Sequence, residues 1–213
     1  MQERRVLQTA RASVAAQFAT NALIVSVFFV DWGAVPASLK NVLLLESLSQ
    51  AVEFAWYALV LYRGWVIEAS KRYYDWVLST PLMLLSLALF FSYRRGGSVD
   101  EDRLALAAVL LFDELMLFFG YLLERGRLNA FPAVFLGMLS LIGVFVSLSA
   151  FVEAEDGLSQ GLLITTMLVW SLYGFAALLP TVPKNVAYNL LDLVSKNGFG
   201  MFLTILVLVE YGK

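Results

Sequence analysis

The residues that could do chemistry in this chain are a few polar groups set in apolar runs, and Lys196 is the sharpest of them. It stands within NLLDLVSKNGFGMFLTILVLV, too far from either end of that run to snorkel easily, with Asp192 one turn before it on the same helical face. Two accounts of such a lysine are open. It can pair with Asp192 as a buried ion pair that ties helices together, although buried pairs seldom add net stability. Alternatively, its amine can condense with an aldehyde in a low-dielectric pocket to give a Schiff base, which once protonated is a buried cation needing carboxylates beside it. A second carboxylate comes from RYYDWVLSTPLMLLS, where Asp75 follows Arg72 by three residues. Asp75 shares a face with Ser79 and Ser86, because their offsets of 4 and 11 lie close to whole helical turns. An interfacial position near the start of that run is the plainer account of Asp75 taken singly.

A further pattern is a stripe of acids and amides. LLLESLSQAVEFAWY spaces Glu46, Gln50, Glu53 and Tyr57 by 4, 3 and 4 residues, which puts all of them on one helical face. Ser13, Gln17 and Asn21 repeat a spacing of 4 and 4 in the first apolar run, while Asn189 and Asn197 accompany Asp192 and Lys196 in the last. Two carboxylates in mid-helix are expensive against lipid and much cheaper against water, and an acidic lining favours cations over anions. The competing account is interhelical hydrogen bonding, for which Ser, Gln and Asn are commonly used in membranes.

The elements that must position these groups follow from composition. The chain has 213 residues, 60% of them hydrophobic and only 15% charged, and a mean hydropathy of +0.76, which excludes an ordinary soluble globule. At about 20 apolar residues per crossing, this length holds at most about seven spans and no second domain, so residues 1–213 form a single membrane bundle. Apolar runs bounded by charge, Gly and Pro place the spans near 10–31, 41–62, 73–92, 104–123, 130–152, 158–180 and 185–210. Their connections are short, among them Trp32 to Lys40, so neighbouring helices run antiparallel. MQERR opens like a secretory signal, but the first span is long and carries Gln17 and Asn21, so it is read as a mature helix, and EYGK at the other end brings no output domain. Without Cys or His there is no disulfide, no thiolate nucleophile and no common metal ligand, so most enzyme classes and a metal centre fall away. The acidic turn Glu153, Glu155, Asp156 is read as solvated rather than as a Ca²⁺ site. A formal charge of −2 with scattered basic residues gives no sign of a nucleic-acid partner.

Together, RYYDWVLSTPL in the third span, Trp170 and Tyr173 in WSLYG of the sixth, and DLVSKNGFG in the seventh resemble the microbial (type 1) rhodopsins. Asp113, Met116 and Gly120 in the fourth span repeat another spacing of that family. The resemblance implies an all-α bundle of seven transmembrane helices with all-trans retinal in the centre, held as a Schiff base on Lys196. It implies that Asp75 is primary counterion and proton acceptor, that Asp192 is the second counterion, and that Arg72 balances both. Trp76, Ser79, Thr80, Met83, Asp113, Met116, Gly120, Trp170 and Tyr173 would surround the chromophore. Glu114, about 100° around the helix from Asp113, would reach a neighbouring helix or subunit.

The family uses one scaffold as pump, channel or sensor, so the output must be argued from the remaining polar groups. Where an outward proton pump of the family carries a carboxylate that reprotonates the Schiff base, this chain has Ser86, and Ser79 stands where Thr is common. Asp75 puts a negative charge where a chloride pump would bind its anion. The Glu-rich second span resembles the light-gated channel group, and more closely the small rhodopsins of giant algal viruses. The reading is therefore a light-gated cation channel, not an enzyme, whose path runs past Ser13, Gln17, Asn21, Glu46, Gln50, Glu53, Asn189 and Asn197. An outward proton pump and a photosensor acting on a separate partner are the alternatives. In this reading Glu53 belongs to the path, and Glu53→Gln alters conductance while leaving the absorption band nearly in place. Lipid and transported cations or protons are the partners, and a homo-oligomer is compatible. Lys and Arg counts lean towards a cytoplasmic N-terminus, whereas the resemblance implies an extracellular one, which is adopted.

Overall fold

A computed structural model describes residues 2–29, 33, 35–65 and 67–211. Seven helical rods run up and down in sequence order. They are α1 (Gln2–Ser26), α2 (Ala37–Arg63), α3 (Tyr73–Arg94), α4 (Arg103–Glu124), α5 (Ala130–Leu148), α6 (Gly157–Ala177) and α7 (Thr181–Tyr211). The all-α bundle expected from the apolar runs is what forms. The first span differs most, since α1 starts at Gln2 rather than near residue 10. The far end of that span, residues 30 and 31, and Trp32 of the following connection lie outside the described residues.

Five helical runs are long and apolar enough to cross a membrane: Ala69–Arg94, Val99–Glu124, Ala130–Phe151, Gly157–Ala177 and Thr181–Tyr211. Helices α1 and α2, at 25 and 27 residues, have the length but not the apolarity. Their polar stripes explain the shortfall. Ser13, Gln17, Glu46, Gln50 and Glu53 are all turned inward and buried, so the outer faces of these helices can still meet lipid.

Local sequence sets the ends of the rods. Gly64 closes α2 in the left-handed conformation (φ 70°), with its N–H turned back to Leu61 and Val60 carbonyls. Ser98 and Glu101 form a reciprocal capping box on the turn before α4. Asp156 caps α6 by accepting from the Leu158 N–H. Arg94 at the end of α3 also grips Asp156 through Nε and Nη2 at 2.9 and 2.8 Å, and this guanidinium holds the Asp156 carboxyl well below the usual carboxylate range.

Two cores fill the bundle. At the end opposite the N-terminus, Ile24, Leu39, Val42, Leu43, Phe90, Phe91 and Leu203 are buried together. Nearer the N-terminal end, Tyr73, Trp76, Leu117 and Tyr188 form a smaller aromatic cluster. Tyr73 fits there because residue 120 is glycine: a Cβ at Gly120 would overlap the Tyr73 ring. The polar groups that matter lie between these two cores.

Candidate functional site

Lys196 is placed by an irregularity. Between Thr181–Asp192 and Gly198–Tyr211, α7 widens into a π-helical turn, Leu193–Asn197, a distortion that often marks functional sites. Asp192 and Lys196 bracket this turn and take separate partners. The Lys196 amine, 2% exposed as a residue, donates to Asp75 Oδ2 at 2.8 Å and Ser79 Oγ at 2.9 Å. Glu53 Oε1 lies 3.8 Å from the same nitrogen.

Asp192 is held differently from the expectation. Its Oδ1 accepts from Tyr173 at 2.8 Å, and its Oδ2 accepts from Tyr57 at 2.6 Å and from Arg72 Nη1 at 3.3 Å. Arg72 is buried and spreads its other donors over Tyr57 Oη, the Asn185 amide oxygen and carbonyl, and Asn189 Oδ1. It forms an ion pair with Asp192 but none with Asp75 among the described residues, so it balances one carboxylate and not two. The internal Lys196–Asp192 pair suggested by their spacing does not form either. The Asp192 oxygens are taken by Tyr173, Tyr57 and Arg72, and the carboxylates within ion-pair reach of Lys196 among the described residues are Asp75 and Glu53. Glu53, expected on the ion path, therefore also stands within ion-pair reach of the amine.

Beside Lys196 is a concave, mostly apolar cavity of the kind that holds small molecules. Its walls include Trp76, Thr80, Met83, Met116, Gly120, Trp170, Tyr173 and Lys196, as expected from sequence. Trp76 stands edge-on to Tyr173 and Tyr188, with ring centroids 5.5 and 5.1 Å away. Asp113 sits behind the wall and accepts from Thr80 Oγ1 at 2.7 Å, while Glu114 next to it is exposed on the outer face of α4. The cavity is almost wholly apolar and has the buried Lys196 amine in its lining, which fits a polyene aldehyde such as retinal. Sequence reasoning missed the wall supplied by α5, including Gly137, Met138 and Leu141, since small and apolar residues there carry no polar signal. It also missed Asn185, whose only hint is its place one turn before Asn189.

The polar stripes divide into two kinds. Ser13 Oγ donates to the Asn189 carbonyl at 3.2 Å, and Asn189 Nδ2 donates to Thr9 Oγ1 at 2.7 Å and the Val6 carbonyl at 3.3 Å. Asn21 accepts from Ser47 at 3.1 Å. These three residues tie helices together. By contrast, both amide ends of Gln17 and Asn197, both carboxylate oxygens of Glu46, and Gln50 Oε1 are buried without a hydrogen-bond partner. Gly200 lies beside this group: a Cβ there would be in ordinary contact with Gln50 Nε2 and Glu46 Oε2 but would crowd Ile24 Cδ1. Ser86, buried on α3, donates at 3.5 Å to the Val42 carbonyl.

Comparison with known proteins agrees with this arrangement. The family described as "Bacteriorhodopsin-like protein" matches residues 8–209. Green-light absorbing proteorhodopsin from Gamma-proteobacterium EBAC31A08 is 26% identical over 209 residues, covering 86% of this chain and 81% of the relative. The fold is similar to that of viral rhodopsin OLPVRII, with a TM-score of 0.84 at 24% identity over 97% of this chain and 99% of that one. It is also similar to xanthorhodopsin, described as a light-driven ion pump with dual chromophore, with a TM-score of 0.76 at 19% identity over 99% and 95% of the two chains.

Proposed function

This chain belongs to the bacteriorhodopsin-like family, and from that premise we propose that it is a light-gated cation channel, formed by residues 1–213 as one membrane domain with its N-terminus outside the cell. It is a multi-pass integral membrane protein, and like its family it holds retinal as a Schiff base on a lysine, here Lys196. Retinal supplies light absorption and a change of shape on illumination. The protein's own groups do the rest. Asp75 Oδ2, 2.8 Å from Lys196 Nζ, stabilises a cation at that nitrogen and is placed to receive its proton. Ser79 fixes the nitrogen from the same face of α3. Trp76, Trp170 and Tyr173 wall the cavity and exclude water from the apolar part.

The observation that carries the channel reading is the set of unpartnered buried polar atoms on Gln17, Glu46, Gln50 and Asn197. Leaving one such group dry costs about 1–3 kcal/mol. An amide with neither end partnered needs a neighbour that both donates and accepts, which describes water. A hydrated file that includes Glu46 and passes Glu53 beside Lys196 would favour cations. Ser86 supports the same reading, because a hydroxyl cannot serve as the internal proton donor that an outward pump uses.

A second reading, an outward proton pump, is favoured by the direct contact of Asp75 with Lys196. Whole-cell voltage clamp with all-trans retinal separates the two. A light-evoked current that reverses near the cation equilibrium potential supports the channel. A current that stays outward at every holding potential overturns it in favour of a pump, and coloured surface protein without current overturns both in favour of a sensor.

A further inference from the structure

We infer that Glu53 and Asp75 form a carboxyl pair that faces Lys196 together and holds one proton between them. The inference rests on the lysine site alone and stands whether or not the protein conducts.

The argument is one of charge and geometry. Asp75 and Glu53 approach the same nitrogen, at 2.8 and 3.8 Å. Asp192 has both oxygens engaged by Tyr173, Tyr57 and Arg72, so its charge is balanced by Arg72, and it makes no direct ion pair with Lys196 among the described residues. Glu53 has no such company. It is 0% exposed, and neither of its oxygens accepts a hydrogen bond. The groups that face it are Lys196 and Asp192 of α7, Asp75 of α3, Arg72 of the turn before α3, Tyr173 of α6 and Tyr57 of its own helix. Among the described residues, the buried face of α1 offers no titratable group. Within that set the cations are Lys196 and Arg72, against the carboxyls of Asp75, Glu53 and Asp192. With Asp192 committed to Arg72, two carboxyls remain for one cation. A third buried negative charge would be uncompensated, so Asp75 and Glu53 carry one charge and one proton between them, as other close carboxyl pairs do.

The test uses purified full-length protein in two forms. In the retinal-loaded form, the visible band is titrated with pH for wild type, Glu53→Gln, Glu53→Asp and Asp75→Asn. Wild type is expected to show two spectral transitions, one for each step of the pair. Glu53→Gln should retain one, Glu53→Asp should restore two, and Asp75→Asn should keep one that arises from Glu53. In the retinal-free form, the rate of all-trans retinal uptake is followed at fixed pH. The amine must shed its proton before it attacks the aldehyde; Glu53→Gln leaves the shared charge on Asp75, so its uptake should match wild type, whereas the double variant Glu53→Gln, Asp75→Asn removes that charge and should speed uptake at least about threefold. A Glu53→Gln protein with two unchanged transitions overturns the pair, and so does one that takes up retinal several-fold faster than wild type. If Glu53→Gln does not fold, an Asp75→Asn protein with no transition overturns it equally.

Discussion

Replacing Arg72 by Gln tests the central electrostatic claim, that Asp192 belongs to Arg72 and not to Lys196. In the wild type, Arg72 Nη1 lies 3.3 Å from Asp192 Oδ2, and the same guanidinium donates to Tyr57 Oη at 2.8 Å and Asn185 Oδ1 at 3.3 Å. Asp192 has no exposed surface. Removing the cation therefore strands a buried carboxylate, for which the usual cost is about 3–5 kcal/mol. Tyr57 and Tyr173 still donate to Asp192 at 2.6 and 2.8 Å, so the loss should fall at the lower end, about 3 kcal/mol. The assay is thermal bleaching of the visible band in detergent, read as midpoint temperature for wild type, Arg72→Gln, Asp192→Asn and the double variant. The double variant should regain most of what Arg72→Gln loses, because the stranded charge is gone. Additive losses in the two single variants would refute the pairing. So would an Arg72→Gln protein as stable as wild type.

Other perturbations reach different parts of the structure. Lys196→Ala should give a protein with no visible band after incubation with retinal, whereas a coloured Lys196→Ala protein would disprove the attachment site. Gln17→Leu removes two unpartnered amide atoms from the α1 face of the file, so photocurrent under voltage clamp should fall several-fold while the absorption band stays in place. Gly120→Ala forces a methyl group against Tyr73 and should cost about 1–3 kcal/mol of stability by overpacking, measured as faster thermal bleaching. Asp156→Ala removes both the α6 cap and the Arg94 partner and should cost about 1 kcal/mol. Because the folded state depresses the Asp156 carboxyl, that contribution is present above the ordinary carboxylate range and is lost as pH falls through the depressed value. The difference between wild type and Asp156→Ala should therefore persist at neutral and weakly acid pH and shrink only in strong acid.

How much of this was legible in the sequence depended on whether a residue contrasts with its surroundings. Lys196, Asp75 and Asp192 interrupt apolar runs, so their burial and convergence could be anticipated. The cavity wall of α3, α4 and α6 was carried by Trp76, Met116, Gly120 and Trp170, all distinctive in type and spacing. The α5 wall has no such contrast. The pairing inside the polar cluster was also hidden, for a specific reason. An offset of four residues puts Asp192 and Lys196 on one face, but which partner each takes depends on the Tyr57, Tyr173 and Arg72 donors that gather around Asp192 from other elements, which spacing along one helix does not show. The role of Glu53 was obscured by the same regularity. Its spacing from Glu46 and Gln50 assigned it to their stripe, while its distance to Lys196 depends on how closely α2 approaches α7.

The division of the polar stripes gives that approach a consequence. On α1, Ser13 is bonded across to Asn189 of α7, whereas Gln17, one turn further along, has no partner at either end. On α7, Asn189 is saturated by Thr9, Val6 and Arg72, whereas Asn197, two turns on, is bare. The contrast runs in one direction along both helices. The N-terminal end of the α1–α7 seam is locked by direct hydrogen bonds, and the middle, at the depth of Lys196, holds polar atoms without a hydrogen-bond partner, which in the proposed channel face water. Beyond Glu46 the seam becomes apolar again, with Ile24, Val42 and Leu203 fully buried and Ile24 Cδ1 close against Gly200. A file hydrated only in its middle cannot conduct. Any current must come from a state in which both the Arg72–Asn189 lock and the Ile24–Gly200 contact have loosened, and both contacts lie on α7, the helix that carries the lysine.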